Sequence, residues 1–522
     1  MKKTMVLVAC LSAGLIQSNT LFAHTQNAEN STVAIIESGK LMGSNHDGVT
    51  TFYDVPYAQN PFTADRRFQA PQAYETWSGI LDATKAGQPV PQPSRGKNIT
   101  LVGAPGHLTL NIWTPTNAIA ANNKASNKKL PVMVWIPGGA FIREDAAELA
   151  YDGTSFAKNN VIVVTINYRV GVDGFMHLEG TPDNRGILDQ IMALKWVQNN
   201  IEDFGGDPSQ VTVAGQSAGA ESVAILLGTE KAEGLFQKAI MQSPPMAFLT
   251  QKEADKITQS YTEKLNIPAT IEGLSTVPFP ELVKNVIDMG HTIQDRDKWG
   301  MLSWGGTAFL PVVDGDIIVE SPMKDLAKAS PSIPVIVGST DQESRLYLVP
   351  SGAVNNMTEE TKSLLLSDLS LEGWPADVYS TEGNSTSIGD TFADIQSDFT
   401  FRMPALHIAQ QLTKNDNNVW HYNFSWMSPA FDGHLGAAHF VDVPFVFNTT
   451  NNEQAKTFVG SQPPVELVNA MHNQWLTFIK TSKADWSHYN LSERPTMQFD
   501  VTSKQVNDPE DSVRKLWKNY QF

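Results

Sequence analysis

The chain has 522 residues, 41% of them hydrophobic, enough to bury a large core as one big α/β domain or several smaller ones. Its 55 acidic residues against 38 basic give a formal charge of −17, which repels polynucleotides and anionic membranes and excludes nucleic acid as a partner. A single cysteine, Cys10, excludes an internal disulfide framework.

The first residues, MKKTMVLVACLSAGLIQSNTLFA, hold two lysines, an apolar run from Met5 to Ile16, a polar stretch and then small Ala23. This order predicts a bacterial-type secretory signal over 1–23, with export of one mature unit over 24–522 to the periplasm or beyond. The apolar run falls short of the roughly twenty residues that a helix needs to cross lipid, so no stable membrane anchor is expected. LVAC, ending in Cys10, is a rival lipoprotein signal, although its hydrophobic region is unusually short. Cleavage after Ala23 leaves a mature chain with no sulfur ligand and no thiolate chemistry.

No repeat, charge block or low-complexity linker divides the mature chain, and ANNKASNKK at 121–129 is predicted as a polar surface loop. Buried-strand candidates follow in order: VMVWI at 132–136, VIVVTINY at 161–168, VTVAG at 211–215, KAIMQS at 238–243 and IPVIVGS at 333–339. Between the second and third, RGILDQIMALKWVQNNI keeps Ile187, Ile191, Leu194 and Val197 near one helical face and then meets Gly205 and Gly206 as stop signals. Strands alternating with helices imply a large, mostly parallel sheet covered on both faces, with the active site beyond the carboxyl ends of the strands.

Strand VTVAG runs into GQSAGA, so that Ser217 is boxed by Gly215 and Gly219 and followed by the helical run SAGAESVAILL, closed at Gly228. Gly-x-Ser-x-Gly alone is a weak signal. Between a strand and a helix it is the setting of a nucleophile elbow, in which glycines permit close approach and the serine holds a strained turn at a helix N-terminus. A serine hydroxyl is a poor nucleophile without a base, and the base needs an orienting carboxylate. The chain order of this fold is serine, acid, histidine. Downstream, His439 in GAAHFVDVPFVF and His434 are the candidates, and spacing does not separate them.

FGGDPSQVTVAGQSAG, Phe204 to Gly219, resembles the full serine signature of the type-B carboxylesterase and cholinesterase family. The resemblance extends through YDVPYA (53–58), RRFQAPQAYETWSGILDAT (66–84), LTLNIWTP (108–115), NYRVG (167–171), GLFQKAIMQS (234–243), FLPVVDG (309–315) and RPTMQFD (494–500), covering nearly all of the mature chain. It implies an α/β-hydrolase fold with helical and loop insertions, and a serine carboxylesterase that acts on small-molecule esters without metal or cofactor. It implies Glu343 in GSTDQESRLYL as the acid, with Ser344 where glycine is usual and Asp341 as the nearby rival, and it selects His439 over His434. In VMVWIPGGAFI it implies Gly139 and Ala140 as oxyanion N–H donors, joined by Ala218, and the GGA form is similar to esterases that accept bulky alcohol esters. Pro137 stands where a histidine or tyrosine is common, which removes a side-chain partner from that loop.

Departures from the family narrow the substrate. The cysteine pair of many relatives falls by register at Val90 and His107, its acidic neighbours fall at Pro105-Gly106, and the choline-holding tryptophan has no counterpart in 90–107. Gln216 is neutral where cholinesterases carry glutamate, which disfavours a cationic substrate. Gly305, Gly306 and Thr307 replace bulky aromatics and imply acyl room, with Gln216, Phe141, Trp304, Gly305 and Thr307 as substrate-binding positions and Phe309 and Met246 as further wall candidates. Amide or carbamate cleavage, interfacial lipase action and a catalytically silent binding domain are the rival functions. Oligomeric state is not encoded in any feature of the sequence.

Overall fold

The computed structural model describes residues 31–95, 99–119, 129–371, 378–379 and 387–522. The leader 1–23 with Cys10, and the polar stretch 121–129 up to residue 128, lie outside the described residues. The strands are β1 (Ser31–Ile36), β2 (Gly39–His46), β3 (Val49–Ala58), β4 (Ile80–Asp82), β5 (Gln92–Pro93), β6 (Leu101–Val102), β7 (Leu108–Pro115), β8 (Leu130–Ile136), β9 (Ile162–Ile166), β10 (Gly206–Gln216), β11 (Lys238–Gln242), β12 (Val335–Thr340), β13 (Val419–Phe424), β14 (Pro495–Phe499) and β15 (Lys504–Asn507). One sheet takes the order β1-β2-β3-β7-β9-β8-β10-β11-β12-β13-β14-β15, with β4 beside β2, and β5 and β6 pair separately.

From β9 to β14 every neighbouring pair is parallel, whereas β1, β2, β3 and β7 on one side and β15 on the other are antiparallel. Each predicted strand lies in the parallel run. There the apolar residues are continuous because both faces are covered: Val132, Val134 and Ile136 pack into one core and Met133 and Trp135 into the other. The predicted helix is observed at Arg185–Asn200, with Ile187, Ile191, Leu194 and Val197 all buried in the first core. The helix Val465–Thr481 covers the opposite face. Each fully buried Val, Ile or Leu in such a layer stabilises the fold by about 1.5–3 kcal/mol.

After β8 the chain places β9 on one side and β10 on the other, a topological switch that opens a crevice above the carboxyl ends of β8 and β10. The loop after β9 is fixed to the helix Arg185–Asn200 by a buried ion pair. Arg169 Nε and Nη2 donate to Asp189 at 2.8 and 2.7 Å, the Arg169 backbone N–H donates to the same carboxylate at 3.0 Å, and both side chains are fully buried.

A second buried polar network joins the ends of β11 and β13 to the far-face helix. Trp475 Nε1 donates to Gln242 Oε1 (3.1 Å), Gln242 Nε2 donates to Asp442 Oδ2 (2.8 Å), and the Tyr422 hydroxyl donates to the same oxygen (3.1 Å). Burial, with the Glu343 carboxylate nearby, pushes Asp442 up to about 6.

Two predictions follow from these buried charges. Asp189→Asn leaves the Arg169 guanidinium without its counter-charge and is expected to cost about 3–5 kcal/mol in denaturant unfolding; a loss below about 1 kcal/mol would contradict this role. The folded pKa of Asp442 lies above its unfolded value of about 4. Ionisation of the site therefore removes stability as pH rises from about 4 through 6. Relative to wild type, Asp442→Asn is expected to gain stability over that window, on the order of 1–3 kcal/mol, whereas a difference that does not change with pH would refute the assignment.

Candidate active site

Strand β10 ends at Gln216, and the helix Ala218–Gly228 starts two residues later, so Ser217 alone makes the turn, at φ 59° and ψ −129°. Positive φ costs a non-glycine residue energy, and here the surroundings enforce it. Ser217 N–H donates to Gln242 O on β11 (2.9 Å) and Ser217 O accepts from Glu221 N–H (3.0 Å). A Cβ on Gly215 would fall 2.5 Å from the Gly219 carbonyl, and one on Gly219 would fall 2.0 Å from Ile136 O. Both glycines are therefore required for strand and helix to meet at this distance, as the sequence predicts. Ser217 is 8% exposed and lines a cavity of about 590 Å³.

Glu343 and His439 meet beside this turn. Glu343 follows β12, and its Oε1 accepts from Thr340 N–H at 2.8 Å. Its Oε2 forms a short contact with His439 Nδ1, and His439 N–H donates to Glu343 O at 3.2 Å. The pair is almost wholly buried, Glu343 at 0% and His439 at 3% exposed. The two rivals lie elsewhere. Asp341 faces Ser425 and the Arg402 guanidinium, and burial pushes its carboxyl above the usual range. His434 is an exposed loop residue whose carbonyl accepts from Arg345 at 3.1 Å.

With the Nδ1 proton directed at Glu343, His439 Nε2 is an acceptor. It lies 2.8 Å from Gln216 Nε2. No hydrogen bond among the described residues joins it to Ser217, whose side chain instead neighbours the Tyr347 hydroxyl. Gln216 thus sits on the imidazole and not in the cavity wall where the sequence reading puts it. The imidazole is also flanked by Phe401 and Tyr347, with ring centroids at 4.3 and 5.8 Å. Sequence reading passes over both rings. Tyr347 stands four residues after Glu343, a helical spacing that would have flagged it; Phe401 carries no local signal.

The loop after β8 packs against the turn at Ser217. A Cβ on Gly138 would fall 2.5 Å from Gln216 O, and one on Gly139 would fall 2.1 Å from Arg143 O. Gly139, Ala140 and Phe141 all take positive φ (134°, 56° and 57°). Among the described residues the Gly139 and Ala140 N–H groups donate to no other backbone group, while Ile142 and Arg143 N–H groups donate to Gly139 O, both at 3.2 Å. Ala218 is the first residue of its helix, where N–H groups lack a partner one turn back. Of these residues, Ala140 and Ala218 line the same cavity as Ser217. Pro137 does not leave the loop slack: the Tyr168 hydroxyl donates to Pro137 O (2.8 Å) and Gly171 N–H to Phe141 O (2.6 Å).

Phe141, Trp304, Gly305, Thr307 and Met246 line the cavity, whereas Phe309 lies under Tyr261, ring centroids 5.8 Å apart. A Cβ built on Gly305 meets no atom within 4 Å, so that wall is open. Trp304 is fixed by its Nε1 bond to Asp368 (2.8 Å), which also pairs with Arg296. Among the described residues no group of three or more His, Cys, Asp or Glu side chains is placed to hold a metal ion.

Residues 30–517 match the model of the Carboxylesterase family. The chain is 34% identical over 504 residues to the para-nitrobenzyl esterase of Bacillus subtilis (strain 168), covering 92% of this chain and 98% of that protein. It is 31% identical to the phenmedipham hydrolase of Pseudarthrobacter oxydans, covering 90% and 93% of the two chains. Among solved structures, a Geobacillus stearothermophilus carboxylesterase superposes with a TM-score of 0.79 at 32% identity, over 93% of this chain and all of that one. The fold, the elbow and these matches agree: the chain belongs to the carboxylesterase family, and it is a carboxylic ester hydrolase of the α/β-hydrolase fold.

Proposed function

We propose that Ser217 is the nucleophile, His439 the base and Glu343 the carboxylate that orients and supports it. The observation that carries this reading is the buried Glu343–His439 pair beside a serine held at positive φ. Ser217 Oγ attacks the ester carbonyl as its proton passes to His439 Nε2, while the carbonyl oxygen, gaining negative charge, accepts from Gly139, Ala140 and Ala218 N–H. The imidazolium, facing Glu343, protonates the leaving alcohol. Water then gives a proton to the same nitrogen and attacks the acyl-enzyme, releasing the acid and restoring Ser217. Because Gln216 holds Nε2 in the resting arrangement, its carboxamide must yield that nitrogen when the Ser217 hydroxyl turns toward it.

The open wall at Gly305 and the 590 Å³ cavity support uncharged esters with bulky acyl or alcohol groups, and Gln216 adds no negative charge to attract a cation. The leader supports export of a mature chain beginning at His24. Amino-terminal sequencing of protein from the periplasmic fraction of a bacterial host is expected to start there; a retained leader, or a chain processed at Cys10, would contradict export by this route. Ser217→Ala is expected to lower kcat on p-nitrophenyl esters by about three to six orders of magnitude with the fold intact. Turnover within tenfold of wild type would remove Ser217 from the mechanism.

A further inference from the structure

One group in the cavity has no part in the acyl-transfer steps. Glu221 lies four residues past Ser217 on the helix Ala218–Gly228, hence on the same helical face, and its side chain lines the same cavity. It is fully buried, and among the described residues neither carboxyl oxygen has a hydrogen-bond partner. Its polar neighbour is the Ala247 N–H, which favours the ionised form but does not complete a hydrogen bond. The buried apolar residues Met246, Leu310 and Phe141 line the same cavity. Burial with no cation nearby holds its acidity well above the ordinary carboxylate range. The other carboxylate on this cavity, Glu253, is engaged by Thr250, accepting from its N–H (2.9 Å) and hydroxyl (2.7 Å).

Buried polar groups are normally paired, and an unpaired carboxyl on a residue that lines a cavity lacks the partner that a bound molecule can supply. In apolar surroundings that carboxyl is held neutral, with one proton to donate and lone pairs to accept. It is thus suited to an uncharged hydrogen-bonding group. Glu221 shares this cavity with Met246 and Ala247, and also with Phe401 and Tyr347, whose rings flank the His439 imidazole.

We propose that Glu221 is a specificity-determining residue whose buried carboxyl hydrogen-bonds an uncharged polar substituent, an oxo or hydroxyl group, on the acyl chain of the ester. This rests on Ser217 being the nucleophile. It sets the substrate class as oxo- or hydroxy-acyl esters in preference to plain alkanoates. A site that must leave a buried hydrogen-bonding group unpaired discriminates strongly against the analogue lacking the partner.

The test compares kcat/KM for p-nitrophenyl 4-oxopentanoate and p-nitrophenyl pentanoate in wild type, Glu221→Gln and Glu221→Leu. Wild type is expected to prefer the oxo ester by about 5- to 30-fold. Glu221→Gln, still a neutral donor, keeps most of that preference, and Glu221→Leu abolishes or reverses it. A wild-type ratio near one overturns the proposal, and this outcome stands even where the leucine variant does not fold. So does a ratio unchanged in a folded Glu221→Leu. Preference for p-nitrophenyl 4-(trimethylammonio)butanoate that both variants lose would mean an ionised Glu221 reading cations, and would likewise overturn it. Labelling of Ser217 by a fluorophosphonate in wild type separates the two failures: a labelled serine with a flat ratio sinks the Glu221 role alone, whereas an unlabelled serine sinks the nucleophile with it.

Discussion

The site depends on one strained residue. Ser217 takes a backbone conformation that L side chains avoid, at the point where β10 turns into the helix Ala218–Gly228. That conformation directs its side chain away from both elements, and two absent Cβ atoms, at Gly215 and Gly219, let the elements close behind it. The strain is held in place by the sheet itself, through the hydrogen bond of Ser217 N–H to Gln242 O on the adjoining strand. Gln242 also ties the Asp442 network to the far-face helix, so the position of the serine is set by packing across the whole sheet.

Around that fixed point the other groups arrive from distant parts of the chain, each by way of the topology. The β8 loop reaches Ser217 because β8 is the neighbour of β10, and the segment bearing Glu343 arrives because β12 lies two strands further along. His439 comes from a loop beyond β13, and its imidazole is fixed on three sides, by Glu343, Gln216 and the Phe401 ring. A hydrogen-bonded Gln216 amide at Nε2 gives the resting imidazole a defined orientation. In the proposed mechanism the Gln216 amide releases that nitrogen before attack.

The parallel core was legible because burial on both faces leaves continuous apolar runs, and Val132–Ile136 or Val335–Ser339 could be read directly. The antiparallel edge strand β1 and the parallel strand β13 were not. β1 alternates exposed and buried positions over only six residues, and β13 carries His421 and Asn423 into a fully buried strand, where His421 Nδ1 pairs with Thr496 and Asn423 Nδ2 donates to Glu510. A polar residue with a partner 75 or 87 residues away breaks the local pattern without breaking the strand. The elbow was legible for the opposite reason: its glycine spacing is a local steric requirement. The identities of the acid and the histidine were not local. Spacing left His434 and His439 level, and only family resemblance, and then the contact with Glu343, distinguished them. Phe401 and Glu221 carry no local signal, because what distinguishes them is what they pack beside: the His439 imidazole and the cavity.

The most direct test is to trap the covalent intermediate. Acid quenching within milliseconds of mixing with a p-nitrophenyl ester, followed by peptide mass mapping, is predicted to show one acyl group per chain on the peptide containing Ser217. The same treatment of a His439→Gln variant is predicted to leave that peptide unmodified. An acyl group on another residue, or full turnover with Ser217 never acylated, would contradict the account.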